Sequence, residues 1–376
     1  MPLKRIFFYT FLVLFVLVSV AGCSFMSLSP QFGSEAKGNR LETIRQSPNY
    51  GDGVFHNPVE TNMDIGFKGY VKMINSRLFG RSDDLRPDWS IPVLPVDPRQ
   101  FDTAQDSATV LTWFGHSAFL IELDGKRILV DPMLGKVASP VSFLGPTRFN
   151  DKLPISIEDL PKIDAILISH DHYDHLDFSS IKKLAAKTGH FYVSLGVGAH
   201  LERWGVPASK ITELDWWQEA HLEGIKFVAT PARHFSGRGF SDRMKTLWAS
   251  WVIQGKHESI FFSGDTGYFD GFKEIGRKYG PFDITLMECG QYNELWPNIH
   301  MMPEETVQAH LDLNGKLLMP IHWGAFALAM HSWTDPIERA SQKAKELGVP
   351  MTTPRIGEPI ILHRQIPQSQ WWTQRP

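Results

Sequence analysis

Cysteine is nearly absent: Cys23 and Cys289 are the only two in 376 residues. A disulfide framework is thereby excluded as the source of stability. Charge of one sign is missing as well. Thirty-eight basic against 41 acidic side chains leave a formal net charge of −3, which gives no electrostatic footprint for nucleic acid. Low-complexity segments and strong short repeats are also missing. The one long apolar run, from Ile6 to Gly22, falls a little short of the ~20 residues of a comfortable membrane span. What remains is 43% apolar and 21% charged, an ordinary globular composition. The 12 Trp and 25 Phe supply a core, and some can serve a lipid-facing or substrate-facing surface.

The N-terminus has the order of an export signal. Lys4-Arg5 precede the apolar run, and Val20-Ala21-Gly22-Cys23 resembles a bacterial lipobox. Residues 1–22 are therefore expected to be a lipoprotein signal peptide, with cleavage before Cys23 and lipid attachment there. Each buried CH₂ of such an anchor adds about 0.8 kcal/mol. Ser24, being no Asp, fits sorting to the outer membrane, facing the periplasm. Residues 23–50 read as a lipidated N-terminus and tether. Residues 51–376 read as one domain whose regular core begins near Ala108.

Within that domain a single arrangement recurs. An apolar run reads as a strand, and a residue able to bind metal sits at or just past its end. Ile163–Ile168 leads into Ser169-His170-Asp171-His172-Tyr173-Asp174-His175. The run Ile225–Thr230 leads to His234, Ser259–Ser263 to Asp265, and Leu317–Ile321 to His322. In the turn after the first strand, His170 and His172 can converge on one cation while Asp174 and His175 swing towards another. Neutral imidazoles with carboxylates suit zinc, with manganese or iron as substitutes. Strand ends are also where an α/β protein usually puts its chemistry.

His170, His172, Asp174 and His175, followed in order by His234, Asp265 and His322, resemble the binuclear metallo-β-lactamase superfamily. Further stretches resemble its N-acyl-phosphatidylethanolamine-hydrolysing phospholipase D group. They include Thr112 to Ser117, Lys245 to Trp251, Phe262 to Tyr268, His300 to Glu305 and Ile321 to Leu328. The resemblance implies an α/β fold, an αββα four-layer sandwich of the metallo-β-lactamase type. It implies two zinc ions per chain: one held by His170, His172 and His234, the other by Asp174, His175 and His322, with Asp265 bridging. It implies release of N-acylethanolamine from a phospholipid substrate, leaving phosphatidic acid. Dimerisation is a feature of that group and implies a homodimer here.

Other residues are given roles on the same basis. Asp171 is read as a helper to the attacking water or an orienter of the ligands, and Asp265 as catalytic through its bridge. Tyr173 is placed at the mouth of the site and His300 beside the cleft, positioning phosphate or leaving group. His116 is read as a turn residue or a neighbour of the site. Arg233 and Arg238 are read as solvated surface. Phe143, Leu144 and Phe149 are expected to be exposed, and Ile155–Leu160 to form a short helix. The same ligands serve a carbon-centred hydrolase acting on a lactone, ester or β-lactam. A nuclease is disfavoured by the acidic balance and by export, and a structural metal by the full set of ligands.

Overall fold

The computed structural model describes residues 2–79, 84–101 and 108–375. Ahead of the core lie α1 (Pro2–Leu28), α2 (Asn39–Arg45), the short pair β1 (Tyr50–Gly51) and β2 (Val54–Phe55), and α3 (Gly66–Phe79). The apolar side chains Phe7, Phe11 and Leu14 of α1 are exposed, yet among the described residues no helix is long and apolar enough to cross a membrane. The side chains of Lys4 and Cys23 lie outside the described ones.

The core begins with β3 (Val110–Trp113), β4 (Phe119–Leu123), β5 (Lys126–Val130) and β6 (Ile163–Ile168). It continues through α4 (Phe178–Leu184), β7 (Thr188–Ser194), α5 (Gly198–Arg203) and β8 (Ile211–Leu214). With β15 (Pro359–Ile361) these strands form a seven-stranded sheet in the order β15-β3-β4-β5-β6-β7-β8. The second half comprises β9 (Glu219–Leu222), β10 (Ile225–Thr230), β11 (Ser250–Gln254), β12 (Ser259–Phe262), α6 (Gly271–Tyr279), β13 (Ile284–Glu288), α7 (Pro303–Asp312), β14 (Leu318–Ile321) and α8 (Asp335–Leu347). Its strands form a six-stranded sheet in the order β14-β13-β12-β11-β10-β9. Both sheets are mixed. Pairing is parallel from β5 to β8 and from β12 to β14, and antiparallel elsewhere.

Side-chain alternation builds the layers. In β6, Ala165 and Leu167 join the cluster between the sheets, while Ile166 and Ile168 face the layer of α4 and α5. In the second sheet Trp251, Ile253, Ile260 and Phe262 face inward, and Val252 and Phe261 face outward onto α6, α7 and α8. A strand buried on both faces reads as a near-continuous apolar run, and β6 is apolar at every position but Asp164, its one residue that is not buried. Each large side chain fully removed from water contributes roughly 1.5–3 kcal/mol. The result is the expected αββα sandwich.

Several local expectations differ. Residues 155–160 form turns, not a helix. Phe143 and Leu144 are exposed, but Phe149 is buried, drawn in by a backbone bond from its N–H to Ala325 O. The stretch expected as a tether packs on the core, with Ile44 fully buried in it. The helices of the second half are capped: Pro303 opens α7, Glu305 accepts from the Met302 N–H at 2.9 Å, and Gly348 closes α8 at φ +67°.

Candidate metal centre

Four strands of the two sheets end at one edge of the sandwich. Ile168 at the end of β6 is followed by Ser169 and a tight turn, in which the His175 and Leu176 N–H groups bond to His172 O. Asp177 then caps α4, accepting from the Ser180 N–H at 2.9 Å. His234 follows β10. Asn57 holds its backbone from both sides, accepting from His234 N–H and donating to His234 O. Asp265 follows β12 after Gly264, whose φ of +56° and whose closeness to Ser169 and Ala249 O exclude a side chain. His322 follows β14 at φ +66°.

These residues form two clusters. In the first, His172 Nδ1 lies 2.9 Å from His170 Nε2 and 3.2 Å from His234 Nε2, and Asp265 Oδ2 lies 3.7 Å from both His170 and His234. In the second, Asp265 Oδ1 lies 3.1 Å from His175 Nε2 and from His322 Nδ1, and Asp174 Oδ2 lies 3.5 Å from His175 and 3.9 Å from His322. Asp265 thus turns one oxygen to each cluster. His116 joins the second, its Nε2 2.8 Å from Asp174 Oδ2.

Electrostatics favour a cation here. Burial, reinforced by the neighbouring imidazoles, holds His170, His234 and His322 well below the ordinary histidine range. Burial brings His172 and His116 down to about 4. All five are neutral donors at pH 7. Burial opposes charge on Asp174, but His175 and His116 outweigh it and hold its carboxyl well below the usual range. Burial likewise works against a charged His175, yet Asp265, Asp174 and Asp131 raise it well above the ordinary value. A proton there takes the place a metal would hold. His175 Nε2 and Asp265 Oδ1 are fully buried, 3.1 Å apart and without a hydrogen-bond partner. A pair of orphaned buried ligand atoms is costly unless a cation fills the gap, so the residues fit a binuclear metal site.

A second tier of contacts orients the ligands. His175 Nδ1 lies 2.7 Å from Asp131 Oδ2, and His234 Nδ1 lies 2.9 Å from Ile299 O. Ser169 Oγ joins His170 Nδ1 to Asp131. Asp131 received no ligand-related role in the sequence reading, whereas His116 lies where the second of its two readings put it, beside the ligands. For Asp131 the signal was present, because it too follows an apolar strand, β5.

Above the clusters opens a cleft of about 340 Å³. His172, Asp174, His234, Asp265 and His322 form its base, and Met63, Ile65, Phe235, Trp296, Ile299 and Leu328 its apolar walls. His300 lines it as expected, with Nδ1 3.3 Å from Glu288 Oε2. Glu288 is fully buried, and burial raises its carboxyl well above the usual range. Gln291 and Arg243 also line the cleft, and the sequence reading missed both.

Two expected site residues are elsewhere. Asp171 is buried and turned from the cleft, accepting from the Gly237 N–H at 2.8 Å and from Thr246 Oγ1 at 3.0 Å. That places it behind the ligand turn, where an orienter of the ligands would sit, and away from the cleft that a helper to the water would face. Tyr173 is absent from the mouth. Its hydroxyl donates to Arg238 O at 2.6 Å and its ring lies under the Arg238 guanidinium. Arg238 itself is buried rather than solvated.

Known proteins agree with this geometry. Residues 126–323 match the model of the Beta-lactamase superfamily domain. An uncharacterised protein of Mycobacterium tuberculosis is 43% identical over 331 residues, covering 87% of this chain and 88% of its own. The N-acyl-phosphatidylethanolamine-hydrolysing phospholipase D 1 of Caenorhabditis elegans is 33% identical over 278 residues, covering 71% of this chain and 76% of its own. In fold, the chain is similar to a metallo hydrolase of Ignicoccus hospitalis, with a TM-score of 0.51 at 22% identity, over 69% of this chain and all of that one. The paired sheets, the ligands at their shared edge and these matches lead to one conclusion: the chain belongs to the metallo-β-lactamase superfamily as a metal-dependent hydrolase, similar to the N-acyl-phosphatidylethanolamine-hydrolysing phospholipases D.

Proposed function

We propose that the protein is a zinc-dependent phosphodiesterase of the phospholipase D type, cleaving N-acyl-phosphatidylethanolamine to N-acylethanolamine and phosphatidic acid. One observation carries the reading: a ligand set for two cations forms the base of a cleft whose other walls are largely apolar. Such a cleft suits a polar reacting group attached to acyl chains. The activity for which the Caenorhabditis elegans relative is named supports it.

Two zinc ions held by these His and Asp side chains would supply an activated water and counter-charge for the phosphoryl oxygens. The rest falls to the chain's own residues. Arg243, its guanidinium 4.8 Å from the Phe235 ring centroid, offers a cation at the cleft wall for the phosphodiester anion. Met63, Ile65, Trp296 and Leu328 take the first carbons of the acyl chains and exclude water. Glu288 fixes the His300 ring through Nδ1, leaving Nε2 to hydrogen-bond the departing N-acylethanolamine oxygen. Water adds to phosphorus, the bond from phosphorus to that oxygen breaks, and the oxygen leaves with the proton that the water gives up. The lipobox-like Val20–Cys23 supports attachment to a membrane as an exported lipoprotein, which brings the cleft to its substrate.

The test is the zinc-loaded protein offered N-acyl-phosphatidylethanolamine in mixed micelles, with phosphatidic acid followed by mass spectrometry and His234→Ala as control. Zinc-dependent release, absent from the control, supports the reading. No release from any glycerophospholipid by fully loaded protein overturns it and turns the search to lactones and esters, which the same ligands serve.

A further inference from the structure

We propose that residues 30–34 are a strap that braces the His-rich loop from behind, and that Arg238 is the positioning residue through which the strap acts on the metal ligands. The inference concerns the metal centre and does not depend on the substrate.

The contacts run in two lines. In the first, each of the three guanidinium nitrogens of Arg238 donates to a backbone carbonyl. Nε and Nη2 reach Gln31 O at 3.0 and 2.7 Å, and Nη1 reaches Asp171 O together with Leu176 O at 2.8 Å. One side chain therefore ties the strap to both ends of the turn that carries His172, Asp174 and His175. The guanidinium is buried, lying 4.0 Å from the Tyr173 ring centroid and 5.2 Å from that of Trp204. Trp204 Nε1 in turn donates to Pro30 O at 2.6 Å, and Phe32 packs edge-on against Tyr173.

In the second line, the Ser34 N–H donates to His200 Nδ1 at 2.9 Å, which leaves the proton on His200 Nε2, 3.3 Å from Asp171 Oδ2. Asp171 stands between the ligands His170 and His172. The approach is close: Gly33 has φ +72°, and a Cβ there would fall 2.0 Å from His200 Nδ1.

Removing the strap would leave two nitrogens of a buried guanidinium unpaired. The favourable response is for Arg238 to turn towards water and release Asp171 O and Leu176 O. Outer contacts of this kind typically set metal affinity by 10–100-fold, because they fix where the ligands point.

The experiment uses the full chain. Gly33→Ala pushes the strap from His200. Arg238→Lys replaces the planar fork with a single ammonium that cannot span the three carbonyls. Arg40→Met is the control, since Arg40 pairs with Glu202 and Glu213 beside the strap and bonds to nothing in the loop. Zinc is titrated against a chelator, the cobalt-substituted protein is followed by its visible spectrum, and amide exchange is measured over residues 170–176. The expected result for both strap variants is zinc affinity lower by about tenfold, an altered cobalt spectrum and faster exchange in the loop. Metal-free melting falls in both, through backbone strain at residue 33 and unpaired carbonyls at residue 238, but zinc affinity falls further than that loss accounts for at a temperature where the metal-free protein is folded, and Arg40→Met behaves as wild type throughout. Zinc affinity within twofold of wild type with an unchanged cobalt spectrum in Gly33→Ala overturns the proposal. So does an equal loss in Arg40→Met, or a loss that only follows a fall in metal-free stability.

Discussion

The Asp131 carboxylate stands behind His175, with Oδ2 2.7 Å from Nδ1. The same oxygen accepts from Ser169 Oγ, and Oδ1 accepts from the Ser169 N–H at 2.7 Å. Ser169 Oγ, having donated its proton to Asp131, can only accept from His170 Nδ1, 2.9 Å away. One carboxylate therefore sets the tautomer of two histidines in different clusters and leaves both Nε2 lone pairs facing the metal sites. Asp131→Ala is expected to lower zinc affinity about 10–100-fold, with both sites affected. Metal content after dialysis against graded chelator checks this. Full retention of two ions per chain would show that the backbone alone aims the rings.

Much of this centre was legible in the sequence for a simple reason. His170, His172, Asp174, His175, His234, Asp265 and His322 all follow apolar strands, and parallel strands deliver their C-terminal ends to one edge. Side-chain direction within the turn was less legible. Asp171 sits between two ligands, but Gly237 and Thr246, 66 and 75 residues away, pull its carboxylate to the opposite side. Tyr173 is turned by Arg238 in the same way. The start of β11 is hidden in the same way, because Leu247 and Ala249 are as apolar as a strand yet bond through their N–H groups to Leu195 O and Ser169 O at the end of the other sheet. Periodicity reports burial and says nothing about which distant carbonyl completes a backbone bond.

Arg243 separates the two hydrolytic readings. It lines the cleft beside His172 and Asp265, and its guanidinium also rests against Met63. A charge-assisted contact to an anionic phosphodiester from this exposed side chain, shielded from water once the substrate covers it, is expected to contribute about 1.4 kcal/mol. Arg243→Met should then reduce kcat/KM for N-acyl-phosphatidylethanolamine about tenfold, mostly through KM. Hydrolysis of a neutral ester by the same protein should change little. Equal losses on both substrates would remove Arg243 from substrate recognition.

Leu167 tests how firmly the strand carrying the His-rich loop is held. It is fully buried in β6, paired with Val130 on one side and Tyr192 on the other, within the layer between the sheets. Leu167→Ala removes three carbons from a site closed on both flanks by backbone, so collapse around the gap is limited. A loss of about 2–5 kcal/mol is expected, read as a lower urea midpoint at constant slope. A loss below that range would mean that the two sheets slide together to fill the space.

His310 gives the fold a pH dependence remote from the metal ligands. It lies buried on α7 with Nδ1 2.7 Å from Thr285 Oγ1, and burial lowers it from 6.5 to about 4. The unfolded chain therefore takes up a proton near pH 6.5 that the folded chain refuses until about pH 4. Stability is flat above pH 6.5 on this account and falls as the pH drops from 6.5 towards 4, by up to about 3 kcal/mol at the acid end. His310→Gln keeps a polar group within reach of Thr285 and removes the titration. Its unfolding free energy should decline less steeply than wild type between pH 6.5 and 4.5, the difference approaching one proton. Denaturant unfolding at a series of pH values measures both slopes. Because the metal site is common to the two proteins, its own acid sensitivity cancels in the comparison, and parallel slopes would mean that His310 is protonated as readily in the folded chain as in the unfolded one.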